Sequence, residues 1–179
     1  MIAYAISDPS TLNFQTLQHD IKRFASKATM LLYRDKSSDR YAKNAEIFLD
    51  EASKYPFEKI LLHSDYKLAY RIGAGGVHLT SKEYKSIAKA KELNLFVIVS
   101  THTLKEALVA QELGADMVTF SPIFTTPNKG EPKGLKELNR VVSMLSIPII
   151  ALGGIITTEQ IEQSLESGAE GFASIRWFC

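Results

Sequence analysis

The chain has 179 residues, 21 Lys and Arg against 20 Asp and Glu, a formal net charge of +1, 45% hydrophobic residues and a single cysteine. This length suits one domain over residues 1–179, and a chain of this size buries roughly 70% of its unfolded surface without needing disulfide or metal staples. The balanced charge excludes a basic groove for nucleic acid or an anionic membrane face. No apolar run is long enough to span a bilayer, and the lone Cys179 makes neither an internal disulfide nor a zinc site, so a reducing, cytoplasmic setting is expected.

Eight short apolar or β-branched runs of the buried-strand type follow one another: Ile2 to Ile6, Ala28 to Tyr33, Lys59 to His63, Gly76 to Leu79, Leu95 to Ser100, Met117 to Phe120, Pro148 to Leu152 and Gly171 to Ile175. The segments between them carry helical spacing. Leu104, Ala107, Leu108 and Gln111 share one helix face with Ala115, for instance, while Lys105, Glu106 and Glu112 face water. Gly73-Ala74-Gly75, Gly114-Ala115-Asp116 and Gly168-Ala169-Glu170 form a three-copy repeat, each copy marking the passage from a helix to a strand. Helix starts are expected at Thr80 with Glu83, Thr103 with Glu106 and Thr157 with Gln160, which all have capping-box spacing.

Eight strands alternating with helices predict an α/β fold, a short (β/α)8 TIM barrel, although its usual lower limit is about 200 residues. A doubly wound open sheet is the second choice. After the eighth run only Arg176-Trp177-Phe178-Cys179 remain, so the barrel lacks its C-terminal eighth helix. Trp177 and Phe178, or a partner subunit in a homo-oligomer, are expected to cover the seam.

A barrel builds its active site from the loops at the carboxyl ends of its strands, and here those ends are polar. Arg34 and Lys36 lie two apart, on one side of an extended segment, where they suit a diphosphate; an ordinary solvated strand end fits them as well. Lys129 ends a turn-rich loop longer than the connection needs. Gly153-Gly154 before a helix start suits a phosphate held by backbone N–H groups and the positive helix end, or simply a tight turn needing positive φ. His63 and His78 read as neutral histidines in or near the core. His102, among Ser100, Thr101 and Thr103, has the better polar claim, and Glu83 has a structural role in its capping box.

The segments Arg34-Asp35-Lys36, Gly73 to Leu79, Val99 to Thr103, Gly114-Ala115-Asp116, Pro122 to Lys129, Ala151 to Ile155 and Gly168 to Gly171 together resemble the thiamine phosphate synthase and thiazole tautomerase superfamily, in order and from the first strand to the last. The resemblance implies a transferase of thiamine biosynthesis. It joins 4-amino-5-hydroxymethyl-2-methylpyrimidine diphosphate to 4-methyl-5-(2-phosphoethyl)thiazole and releases diphosphate with the help of Mg²⁺. Departure of diphosphate leaves a pyrimidine carbocation that the thiazole nitrogen traps. Carried over by position, Arg34, Lys36 and Lys129 are the diphosphate-binding cations and Ser100 is the serine near the leaving group. Thr126 and Asn128 contact the thiazole phosphate, Gly153, Gly154, Ile175 and Arg176 form a second phosphate site, and His63 and His102 complete the substrate-binding set.

The chain departs from this pattern at Leu32, where the family has glutamine, and at His63-Ser64, where it has Asn-Asp. Thr80-Ser81-Lys82-Glu83 replaces Gly-Gln-x-Asp, Ser121 replaces a glycine and Arg176 a serine. Glu83, and with a one-residue shift Asp65, are the remaining candidates for Mg²⁺, an ion that demands near-ideal octahedral geometry, so these changes work against it. Two alternatives follow: a non-catalytic protein that binds thiazole phosphate or thiamine phosphate, and a thiazole tautomerase. The tautomerase branch has a general acid/base histidine where this chain has Pro122, which leaves His63 or His102 to replace it.

Overall fold

The computed structural model describes every residue except Asn128. Eight strands and seven helices alternate: β1 (Ile2–Ile6), α1 (Leu17–Ala25), β2 (Met30–Tyr33), α2 (Tyr41–Ala52), β3 (Lys59–His63), α3 (Tyr66–Ile72), β4 (Gly76–Leu79), α4 (Lys85–Glu92), β5 (Phe96–Thr101), α5 (Leu104–Glu112), β6 (Met117–Phe120), α6 (Gly134–Met144), β7 (Ile149–Leu152), α7 (Thr158–Glu166) and β8 (Gly171–Ser174). All neighbouring strands pair in parallel, and β1 pairs with β8 to close the barrel, with Tyr4 beside Ala173.

The two-residue period of each strand sorts its side chains into two cores. Tyr4, Ile6, Met30, Leu32, Leu61, Ile98, Met117, Ile150 and Ala173 fill the barrel interior. The alternate residues, among them Leu31, Leu62, Val77, Val97, Val99, Val118, Ala151 and Phe172, pack outward against Ile21, Phe24, Phe48, Ile87, Leu138 and Ile161 of the helices. The same alternation turns His63, His78, Ser100 and Thr119 inward, toward the carboxyl end of the barrel.

Several expected boundaries move by a residue or two. Ala28 still closes the end of α1 by donating its N–H to Phe24 O at 2.8 Å, so β2 begins at Met30. β8 ends at Ser174, whose hydroxyl donates to Ile155 O at 2.8 Å and accepts from Trp177 N at 3.2 Å, bending the chain away from the sheet. The capping box at Thr157 and Gln160 forms in full. At Thr103 only half of it does, because the Glu106 carboxylate takes the N–H of His102 instead. Thr80 caps no helix: α4 starts later, and Glu83 folds back onto Thr80 within the preceding loop.

Among the described residues no helix follows β8. A 3-10 turn, Arg176–Phe178, occupies that place and lies on the seam. Phe178 is fully buried, its ring stacked on Phe172 at 5.7 Å, with Trp177 edge-on to both. Arg23 of α1 donates to Phe178 O at 2.9 Å and to Thr11 O at 2.6 Å, tying the turn to the first βα unit. Two aromatic rings and one guanidinium thus cover the edge that a helix would otherwise shield. No helix of the described residues is long and apolar enough to cross a membrane.

Candidate active site

The loop after β2 is shaped by Asp35, whose Oδ1 accepts from Ser37 N, Ser37 Oγ and Ser38 N at 2.9, 2.8 and 3.1 Å. This local turn fixes the strand end at which Arg34 and Lys36 stand two apart. The Lys36 ammonium is held below its ordinary pKa, first by the like charge of Arg34, then by partial burial and by Lys129, with Glu83 opposing the shift. Lys36 therefore shares one field with Arg34 of its own loop and with Lys129, from a loop far away in sequence. Three cations against one carboxylate attract a polyanion.

β3 and β4 supply the next part of the rim. Ser64 adopts a left-handed φ of 64°, which costs a non-glycine residue free energy and persists where neighbours hold it. Its N–H donates to His78 O at 2.9 Å, and its hydroxyl lies 3.1 Å from His63 Nδ1 and donates to Glu83 Oε2 at 3.0 Å. Burial, with Arg34 and Lys36 adding to it, pushes the His63 imidazole down to about 4. His63 is neutral at the rim, as its sequence context suggests.

Deeper in the barrel, Tyr4 Oη lies 3.0 Å from His78 Nδ1 and His78 Nε2 lies 2.9 Å from Ser100 Oγ. Burial lowers His78 to about 3 and raises Tyr4, so both stay neutral. This chain leads from the barrel floor to Ser100, which is half-buried at the end of β5. Thr119, beside Ser100 in the β5–β6 ladder, is buried with an unpartnered Oγ1. Tyr4 and Thr119 escape sequence reading. A polar residue inside an apolar strand is the only local hint of either.

The β6–α6 loop is anchored to the end of β7. Ile123 N donates to Leu152 O at 3.0 Å and Phe124 N to Gly153 O at 2.9 Å. Gly153 and Gly154 both take positive φ, 99° and 72°. A Cβ on Gly153 would meet Pro122 Cα at 2.7 Å, and one on Gly154 would meet Thr125 O at 2.6 Å. The tight-turn reading of this pair therefore holds, and its consequence is to seat the loop that carries Thr126 and Lys129. Thr126 is half-buried, with its hydroxyl on Phe124 O at 3.0 Å, while Lys129 is exposed. Asn128 lies outside the described residues.

Other expected members are held by different neighbours. His102 is exposed and bound to Glu106, with Nδ1 3.2 Å from Oε2, as part of the start of α5. Ile175 packs on the interior cluster just beyond β8, and Arg176 is exposed at the head of the terminal turn.

Both candidate Mg²⁺ carboxylates are engaged in local hydrogen bonds. Asp65 is the N-cap of α3, its Oδ1 accepting from Leu68 N at 2.8 Å. Glu83 Oε2 already accepts from Thr80 N and Thr80 Oγ1, both at 2.7 Å, as well as from Ser64. Among the described residues no three His, Cys, Asp or Glu side chains come together as an ion cage, and the field around Glu83 includes the Lys36 ammonium. Mg²⁺ keeps an octahedron of oxygens at close range, and the two oxygens named here, Glu83 Oε2 and Asp65 Oδ1, are already turned to protein donors.

A closed parallel barrel with clustered cations and a buried hydroxyl relay at the carboxyl end of its strands defines a barrel enzyme whose chemistry sits at that rim. Comparison with known proteins narrows the class: the chain matches the thiamine monophosphate synthase family over residues 3–178, and it belongs to that family. A relative from Aquifex aeolicus is 34% identical over 98% of this chain and 96% of its own. The thiamine-phosphate synthase of Nitrosococcus oceani is 33% identical, covering 96% of this chain and 82% of the relative. Among solved structures, the thiamine phosphate pyrophosphorylase of Pyrococcus furiosus superposes with a TM-score of 0.83 at 26% identity, over 97% of this chain and 85% of that one.

Proposed function

We propose that this chain couples the pyrimidine diphosphate to the thiazole phosphate, forming thiamine phosphate and releasing diphosphate. The observation that carries this reading is the shared field of Arg34, Lys36 and Lys129. Bond breaking between the pyrimidine methylene carbon and the diphosphate oxygen moves an electron pair onto the leaving group, and these cations stabilise the charge where it gathers. The thiazole nitrogen then donates its lone pair to the methylene carbon, forming the new C–N bond. No protein nucleophile is consumed, so the protein's work is charge stabilisation and alignment of the two reactants. The turn at Gly153-Gly154 and Thr126 frame the second phosphate site.

Release of diphosphate by the purified chain, supplied with both substrates, tests the reading. Release that requires both substrates supports it. No release, with thiazole phosphate still raising the melting temperature, favours the non-catalytic binding protein. The Ser64–Glu83 hydrogen bond speaks for that second reading, because it occupies the positions where the family pattern carries metal-binding residues. The tautomerase reading gains nothing from the geometry: His63 titrates too low to be protonated near neutral pH, and His102 is held by Glu106.

A further inference from the structure

We propose that Tyr4 and His78 are positioning residues that fix the Ser100 hydroxyl as a hydrogen-bond donor toward the bound substrates. The inference rests on the reading of Ser100 as a substrate-facing group, but its central claim, the tautomer of His78, stands on the hydrogen-bond chain itself.

Tyr4 is fully buried, and among the described residues its hydroxyl has one partner, His78 Nδ1 at 3.0 Å. A phenol has one proton to give, and a buried donor left without an acceptor is costly. The proton therefore points at Nδ1, which must be the unprotonated nitrogen. A neutral imidazole carries its single N–H on the other nitrogen, so Nε2–H donates across 2.9 Å to Ser100 Oγ. The opposite polarity, with Nδ1–H donating to Tyr4, leaves the tyrosine proton inside the barrel with no acceptor. Complete burial keeps the ring neutral, its pKa lowered to about 3, so protonation does not blur the choice.

For Ser100 the consequence is directional. Its oxygen is occupied by the imidazole N–H, and among the described residues no protein acceptor takes its own proton. Thr119 Oγ1, the nearest candidate in the ladder, has no hydrogen-bond partner. The hydroxyl thus presents its proton upward at the rim, ready for an anionic leaving group or a ring nitrogen. A serine acting as a nucleophile would instead need to give its proton to His78 Nε2, which already carries a proton when Tyr4 donates to Nδ1.

The test uses the full chain with ¹⁵N-labelled histidine, the His78 signals being identified by their loss in His78→Gln. The expected spectrum shows Nε2 protonated and Nδ1 as a hydrogen-bond acceptor. A protonated Nδ1 overturns the proposal, whatever the enzyme turns over. Tyr4→Phe removes one oxygen atom and should fold; its spectrum should show both tautomers. Its kcat should fall about tenfold with KM little changed, and combining it with Ser100→Ala should be no worse than Ser100→Ala alone. Unchanged kcat in Tyr4→Phe, or additive losses in the double variant, also overturns it. Failure of the wild-type chain to turn over at all would overturn the functional reading instead, while the tautomer would still decide this one.

Discussion

The Ser64 hydroxyl donates to Glu83 Oε2 across 3.0 Å, joining the loops after β3 and β4 by a direct hydrogen bond. That oxygen also holds Thr80 by two further bonds. Glu83→Gln keeps an acceptor oxygen for these donors, so stability should change by less than about 1 kcal/mol. If the loop pair works without a metal ion, diphosphate release should be the same with Mg²⁺ and with EDTA, in both wild type and variant. A rate that collapses in EDTA would show that the reaction needs the ion, and a Mg²⁺ response lost in Glu83→Gln would place the ion on Glu83.

Arg34, Lys36 and Lys129 repel one another until a polyanion arrives. Lys129→Ala should lower kcat/KM by about 2–4 kcal/mol of transition-state stabilisation. Lys36→Met should weaken inorganic diphosphate binding in calorimetry while leaving the melting temperature unchanged or about 1 °C higher, because it relieves the like-charge contact recorded in the lowered Lys36 pKa. A clear fall in melting temperature would mean that the cluster is structural.

One buried histidine, His78, and one half-buried histidine, His63, make the fold acid-sensitive. His63 titrates near 4 and His78 near 3 in the folded chain, each against 6.5 when free. Between those values and 6.5 the unfolded chain binds the extra protons, so stability is present above about pH 6.5 and is lost as pH falls toward 4. At about pH 5 unfolding should take up one proton at each histidine. His63→Asn should remove one of the two and flatten the pH dependence of urea unfolding, saving on the order of 3 kcal/mol of the acid loss. An unaltered slope would place His63 in water.

The terminal turn should behave as core. Phe178→Ala removes a fully buried ring stacked on Phe172 and should cost about 3–5 kcal/mol in urea unfolding. Trp177→Ala, at a half-buried position, should cost less, about 1–2 kcal/mol, when followed by circular dichroism. Equal, negligible costs would show that the seam needs no cover from these rings.

Glycines at two positive-φ sites should separate turn strain from loop placement. Gly154→Ala would drive a Cβ to 2.6 Å from Thr125 O, displacing the loop that carries Lys129, and should cut kcat/KM at least about tenfold. Gly73→Ala meets nothing within 4 Å and should cost about 1 kcal/mol of stability with normal activity. If both variants keep full activity, the β6–α6 loop does not depend on Gly154.

The barrel was legible in the sequence because its information is local. Period-two strands, helical faces, the positive-φ glycine that ends α3 and the Thr157 cap each act within a few residues, and their repetition determined the order and number of strands. The cations at the rim were legible too, since strand ends in such a barrel converge wherever the chain places them. What the tertiary structure alone decided are relationships across 19 to 155 residues of sequence: Ser64 on Glu83, Tyr4 on His78, His78 on Ser100 and Arg23 on Phe178. It also tied His102 to Glu106 at the start of α5 and turned Asp65 into the cap of α3. A hydrogen bond has a reach of about 3 Å, and only closure of the barrel brings such partners that close.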